Sequence, residues 1–99
     1  FSMGIDIGAS VIVGKPYKDF DIPGDSDRLD FFEELGLECL SPCFDADVEY
    51  CVFGVKVLNV DYTYKRVPYD ITRLINEANK EFRSLTGMDG EVYFGPDVW

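Results

Sequence analysis

The sequence contains no histidine. The commonest general acid–base group and the commonest nitrogen ligand for metals are therefore both missing. Cysteine is sparse: Cys39, Cys43 and Cys51 are the only three. An odd count, with no secretory leader, argues against a disulfide framework and for a reducing compartment. A cytoplasmic location is the corresponding expectation, with the thiols serving as small buried apolar residues. Three thiolates spaced by four and eight residues, without histidine, do not make a usual zinc pattern. No metal and no cofactor are expected. There is no run of about 18 apolar residues, so no membrane-spanning helix is predicted. A basic stretch followed by an apolar one is also lacking, so no leader is predicted. Positive charge is scarce, with 9 Lys and Arg against 19 Asp and Glu and a net charge of −10. Such a chain repels nucleic acid and anionic membrane, which excludes direct binding to either.

What remains is the composition of a single folded domain. Ninety-nine residues fit one hydrophobic core, and 46% hydrophobic with 15% aromatic residues argues against disorder. Phe1-Ser2 ahead of Met3 read as a cloning remnant, so the domain is expected to span 3–99. The charge is unevenly placed. Residues 19–49 hold eleven acids and one base, Arg28, and so carry −10; the other 68 residues hold eight acids and eight bases and sum to zero. The neutral reading of such a run is a solvated face that keeps a small protein soluble.

Period-two alternation over Met3–Val13 predicts a strand, with Ile5, Ile7, Ala9, Val11 and Val13 on one face, ended by Gly14 and Pro16. Leu29, Phe32 and Leu35 predict a short helix starting near Asp27, capped by Asp25 or Ser26 and stopped by Gly36. Residues 37–40 predict a short strand and residues 44–47 a turn. Residues 49–58 give the clearest strand, with Cys51, Phe53, Val55 and Val57 on one face. Residues 60–64 read as its extension or as an arm. Ile71, Leu74, Ile75, Ala78, Phe82 and Leu85 recur at helical spacing behind Asp70 as the cap, and Gly87 ends that helix. Residues 91–94 predict a last strand with Val92 and Phe94 inward. Trp99 is expected to pack back on the body.

The succession strand, helix, strand, strand, helix, strand predicts an α+β fold: a single-domain ferredoxin-like βαββαβ sandwich, its antiparallel sheet carrying two helices on one face. The other sheet face must then be wet or covered by a partner. Tyr50, Val52, Leu58 and Tyr93 are candidates for that second face. Exposed together they would form an apolar patch, from which oligomerisation, for instance a homodimer, or a protein partner is the expectation.

Two local motifs point to chemistry. Gly4–Ser10, GIDIGAS, resembles the first phosphate-binding strand of the actin, sugar-kinase and heat-shock ATPase superfamily, with Asp6, Gly8, Ala9 and Ser10 at the matching positions. The resemblance covers seven residues, and that superfamily is built from two large lobes, so the segment reads as a core strand with a glycine bend. Asp19–Asp30 resembles a calcium loop of the EF-hand type, with Asp19, Asp21, Asp25, Asp27 and Asp30 at ligand positions and Gly24 at the turn. It departs from that pattern at Pro23, at the shorter Asp30, and in the lack of a preceding amphipathic helix. No nucleophile–base pair, P-loop or dinucleotide fingerprint is present, so no catalytic residue is assigned.

The charge map therefore carries the functional expectation. It predicts a small acidic, non-enzymatic interaction protein, an inhibitor of the phage or mobile-element kind, docking on a basic, nucleic-acid-binding protein surface. Its expected contacts are Asp19, Asp21, Asp25, Asp27, Asp30, Glu33, Glu34, Asp45, Asp47 and Glu49. The alternative is a small-ligand-binding regulatory module, acting as a homo-oligomer, in which Tyr62, Tyr64, Lys65 and Arg66 stack a base or grip a nucleotide-like anion.

Overall fold

The computed structural model describes residues 7–24, 27–42, 47–61, 64 and 66–98. Four strands, β1 (Ile7–Pro16), β2 (Glu38–Leu40), β3 (Val52–Asp61) and β4 (Glu91–Val98), alternate with two helices, α1 (Arg28–Leu35) and α2 (Ile71–Thr86). Single 3-10 turns at Tyr17–Asp19 and Val48–Tyr50 precede α1 and β3. The fold is α+β, with one antiparallel sheet in the order β2-β3-β1-β4. No helix among the described residues is long and apolar enough to cross a membrane. Met3–Asp6, Trp99 and the turn expected at 44–47 fall largely or wholly outside the described residues, as do Cys43 and the cap candidates Asp25 and Ser26.

β1 runs through Gly14 to Pro16 instead of stopping there. The reason is a close approach of two backbones. Gly14 pairs with Gly54, and a Cβ on either would lie 2.1 Å from a carbonyl oxygen of the facing strand. Only glycine fits a crossing that tight. Two pairs further along, Ile12 still pairs with Lys56 but Val11 pairs with Leu58, leaving Val57 as an extra residue in β3. This bulge places Leu58 opposite Val11, beside the residues facing the helices, and removes it from the second face.

Both helices pack on the same side of the sheet. Phe32 of α1 stacks flat on Phe53 of β3, with centroids 3.7 Å apart, and Phe20 meets Phe32 edge-on at 4.9 Å. Phe82 of α2 and Cys51 complete this core with Leu37. A buried phenylalanine of this kind contributes about 2–3 kcal/mol. Asp27 caps α1 itself, its Oδ1 accepting the Asp30 N–H at 3.1 Å. Gly36 and Gly87, at φ 79° and 78°, close the two helices as expected. Asp70 stands before α2 but its side chain makes no cap bond; the carboxylate accepts from Arg73 Nε at 2.9 Å instead.

The second sheet face is not open. Ile12 and Val13, adjacent in β1 and pointing to opposite faces, are both buried. The sheet curls until its edge strands approach each other, and the Ser41 N–H just after β2 donates to Asp97 Oδ1 of β4 at 3.1 Å. Ile12 and Leu40 are thereby enclosed. Conversely, Val92 and Phe94, expected inward, are 51% and 76% exposed. They face the helical side, but α2 packs mainly over β3 and β1 and leaves them exposed. Leu85 is also partly exposed, and Tyr50 sits on the exposed turn before β3 and not in the sheet.

Candidate functional site

The acidic segment folds around one end of the sheet. The aromatic residues between its carboxylates hold it there: Phe20, Phe31 and Phe32 pack inward, which turns the intervening acids outward. Asp19, Asp21, Asp27, Asp30, Glu33, Glu34, Asp47 and Glu49 are all exposed; Asp25 and Asp45 lie outside the described residues. Three observations draw parts of this set together. The turn carrying Asp19 touches the turn carrying Glu49. Arg28, the segment's only base, bonds Glu49 Oε1 at 3.1 Å and lies 5.7 Å over the Tyr17 ring. Asp27, Asp30, Glu33 and Glu34 occupy the solvent side of α1 and its cap, opposite Phe32.

The electrostatics follow from exposure. Hydrogen bonds to Tyr17 and then Glu49 raise the Arg28 guanidinium above its ordinary value, so this base is committed within the segment. Lys15 approaches Asp19 at 3.9 Å but lies closer to Glu91, at 3.3 Å. Asp30, Glu33 and Glu34 form no ion pair among the described residues and face water, open to cations from outside. Among the described residues no three carboxylates or thiols converge as a metal site. The EF-hand-like stretch is interrupted by the turn at Tyr17–Asp19 and by the start of α1.

The alternative cluster is only half described. Tyr64 and Arg66 are both exposed, while Tyr62 and Lys65 lie outside the described residues. Arg66 lines an open groove of about 390 Å³ with Val67, Pro68, Tyr69 and Asp70.

One polar constellation escapes sequence reasoning. Inside the curled sheet, buried Asp97 accepts from Lys56 Nζ at 2.6 Å and from Ser10 Oγ at 3.4 Å, besides the Ser41 N–H. Four strands or strand ends thus meet on one carboxylate. The available signal was Lys56 alone in an apolar strand and Asp97 between Pro96 and Val98, but nothing in the sequence joins them. Nearby, burial and then the neighbouring Cys51 push the Cys39 thiol up to about 12. Such a thiol is a poor nucleophile at neutral pH. Both cysteines are free, and Cys51 is buried as expected.

A second feature is apolar. Ala9, Val11, Leu58, Val60, Val67 and Phe94 line a cleft of about 160 Å³ on the helical side of the sheet, beyond the reach of α2. Comparison with family models, with curated proteins and with solved structures finds no match.

Proposed function

We propose that the protein is a small non-enzymatic interaction module whose acidic end docks on a basic protein surface of the kind that otherwise holds nucleic acid. The observation that carries this reading is that every described carboxylate of the 19–49 segment faces solvent, while its one base is already engaged by Glu49. A surface of this sort offers carboxylates where a groove expects phosphates, and it steers encounter with a cationic partner. An inhibitor of phage or mobile-element type, acting in the cytoplasm, is the form this proposal takes. The fold supports it as a scaffold. We read the succession βαββαβ, with sheet order β2-β3-β1-β4 and both helices on one face, as a ferredoxin-like architecture with a strongly curled sheet.

The test is partner capture from source cells at about 0.1 M salt, repeated at about 0.5 M salt and with duplex DNA as competitor. Nucleic-acid-binding proteins should be retained, should elute with salt and DNA, and should be lost with the triple variant D30K/E33K/E34K. A partner held equally at both salt concentrations and by the charge-reversed variant would refute the proposal.

A second reading, a regulatory module for nucleotide-like anions, draws on Arg66 beside the 390 Å³ groove. A thermal shift on adding nucleotides, abolished by Arg66→Ala, would favour it over the first.

A further inference from the structure

The edge of the sheet at β4 lacks the devices that keep edge strands apart. Among the described residues the β4 backbone forms a ladder only with β1; β2 approaches its other side at the Ser41–Asp97 bond, and the stretch before that offers unmatched N–H and C=O groups. Natural edges are commonly guarded by lysine, by proline or by brevity. β4 is eight residues long, carries no lysine, and has its proline, Pro96, near its end. Its charges are already answered: Glu91 by Lys15 and the Tyr93 hydroxyl, Asp97 by Lys56. Between them Val92 and Phe94 stand exposed on one face.

These side chains continue into a wider apolar surface. Phe94 and Val67 share the 160 Å³ cleft, and Val67 and Tyr69 share the next groove along the chain. Tyr69 is fully exposed and Val67 is 55% exposed. With an aromatic side chain burying about 150–250 Å², the patch offers roughly 500–600 Å² per copy before backbone pairing is added. That approaches the roughly 800 Å² per partner of a standard interface. The acids nearest this edge are answered locally. Residues 50–99 hold seven acids and six bases, and Asp19, which brings the −10 segment near β4, shares Lys15 with Glu91.

We propose that a second copy of this chain occupies the β4 edge, giving a two-fold dimer with a continuous eight-stranded sheet. An antiparallel edge is self-complementary under a two-fold axis. With the axis through Tyr93, Val92 of each copy faces Phe94 of the other, a favourable aromatic and β-branched pair. Glu91 then faces Gly95, which avoids a like-charge contact. The carboxylates nearest this surface, Glu91 and Asp70, are already engaged by Lys15 and Arg73, so the contact rests on apolar side chains and backbone and is independent of the docking proposal.

Sedimentation velocity from about 1 to about 500 μM tests it, with circular dichroism to confirm that variants fold. The wild-type mass should climb with concentration from one chain of 11.2 kDa towards two. F94K, which alters an exposed side chain, should weaken association about tenfold or more. V92K and F94E should each be monomeric alone, and their mixture should recover a dimer, because residue 92 of one copy meets residue 94 of the other. A single-chain mass throughout, or an F94K dimer as tight as wild type, would overturn the proposal; failure of the mixture to recover would overturn the Tyr93-centred register.

Discussion

Asp97 illustrates how one side chain can carry more structural consequence than its surroundings suggest. Its carboxylate is almost fully buried, and Lys56 is only 21% exposed. Truncating one partner of such a pair strands the other charge in a medium that solvates it poorly. Asp97→Ala should therefore cost about 3 kcal/mol in urea unfolding, whereas the paired change K56M/D97L should recover most of the loss. Equal losses in the two proteins would contradict this. Tyr93 gives a pH signature. Its hydrogen bond to Glu91, then its burial, push the phenol up to about 12. A folded value raised above the ordinary 10 means that folding holds the proton more tightly. The associated stability is complete below pH 10 and fades as pH rises towards 12. Of six tyrosines, one should then gain tyrosinate absorbance late, and Glu91→Gln should advance it. Neither residue was legible in the sequence as a site. Tyr93 reads as one of an alternating pair, and Asp97 meets Lys56 across 41 positions, a pairing that depends on how far the sheet curls.

At the scale of elements the sequence spoke clearly where signals are local. Helical spacing behind Asp70, and glycines at positive φ, marked α2 and both helix ends. The 49–58 alternation located the middle of β3, although its first residues form the Val48–Tyr50 turn and the strand continues to Asp61. Signals that depend on a neighbour misled. Gly14 looked like a terminator because glycine is a poor strand former, yet it is required by the facing Gly54. Leu58 looked like a second-face residue because a bulge has no signature in one strand alone. Val92 and Phe94 have the pattern of inward residues, and they do face the helical side, but they stay exposed among the described residues. Gly54→Ala should reveal the tight crossing, since its methyl would lie 2.1 Å from the Val13 oxygen. A loss of about 4 kcal/mol or more, or failure to fold, is expected; a variant within about 1 kcal/mol of wild type would mean that the strands separate at little cost.

For the whole molecule, charge was the most legible property, because counting needs no geometry. What counting did not supply was the way aromatic residues inside the acidic segment anchor it while its carboxylates face water. Crowding eleven acids against one base leaves self-repulsion that the fold must tolerate. Raising sodium chloride from about 0.02 to about 0.5 M should therefore increase the melting temperature by a few degrees, in contrast to a protein held together by surface ion pairs. A melting temperature that falls with salt would show that pairs such as Arg28–Glu49 and Arg73–Glu77 outweigh the repulsion.

The bond from the Ser41 backbone to the Asp97 carboxylate bears on more than the closure of the curl. A terminal strand ordinarily frays, and immobilising it consumes part of whatever is gained on association. Here the last strand is fastened near its far end to three others, so it is stiff before anything arrives. Preorganisation of this kind would lower the entropic penalty for adding a strand beside it, and a chain with a modest apolar patch can then associate more tightly than its area alone suggests.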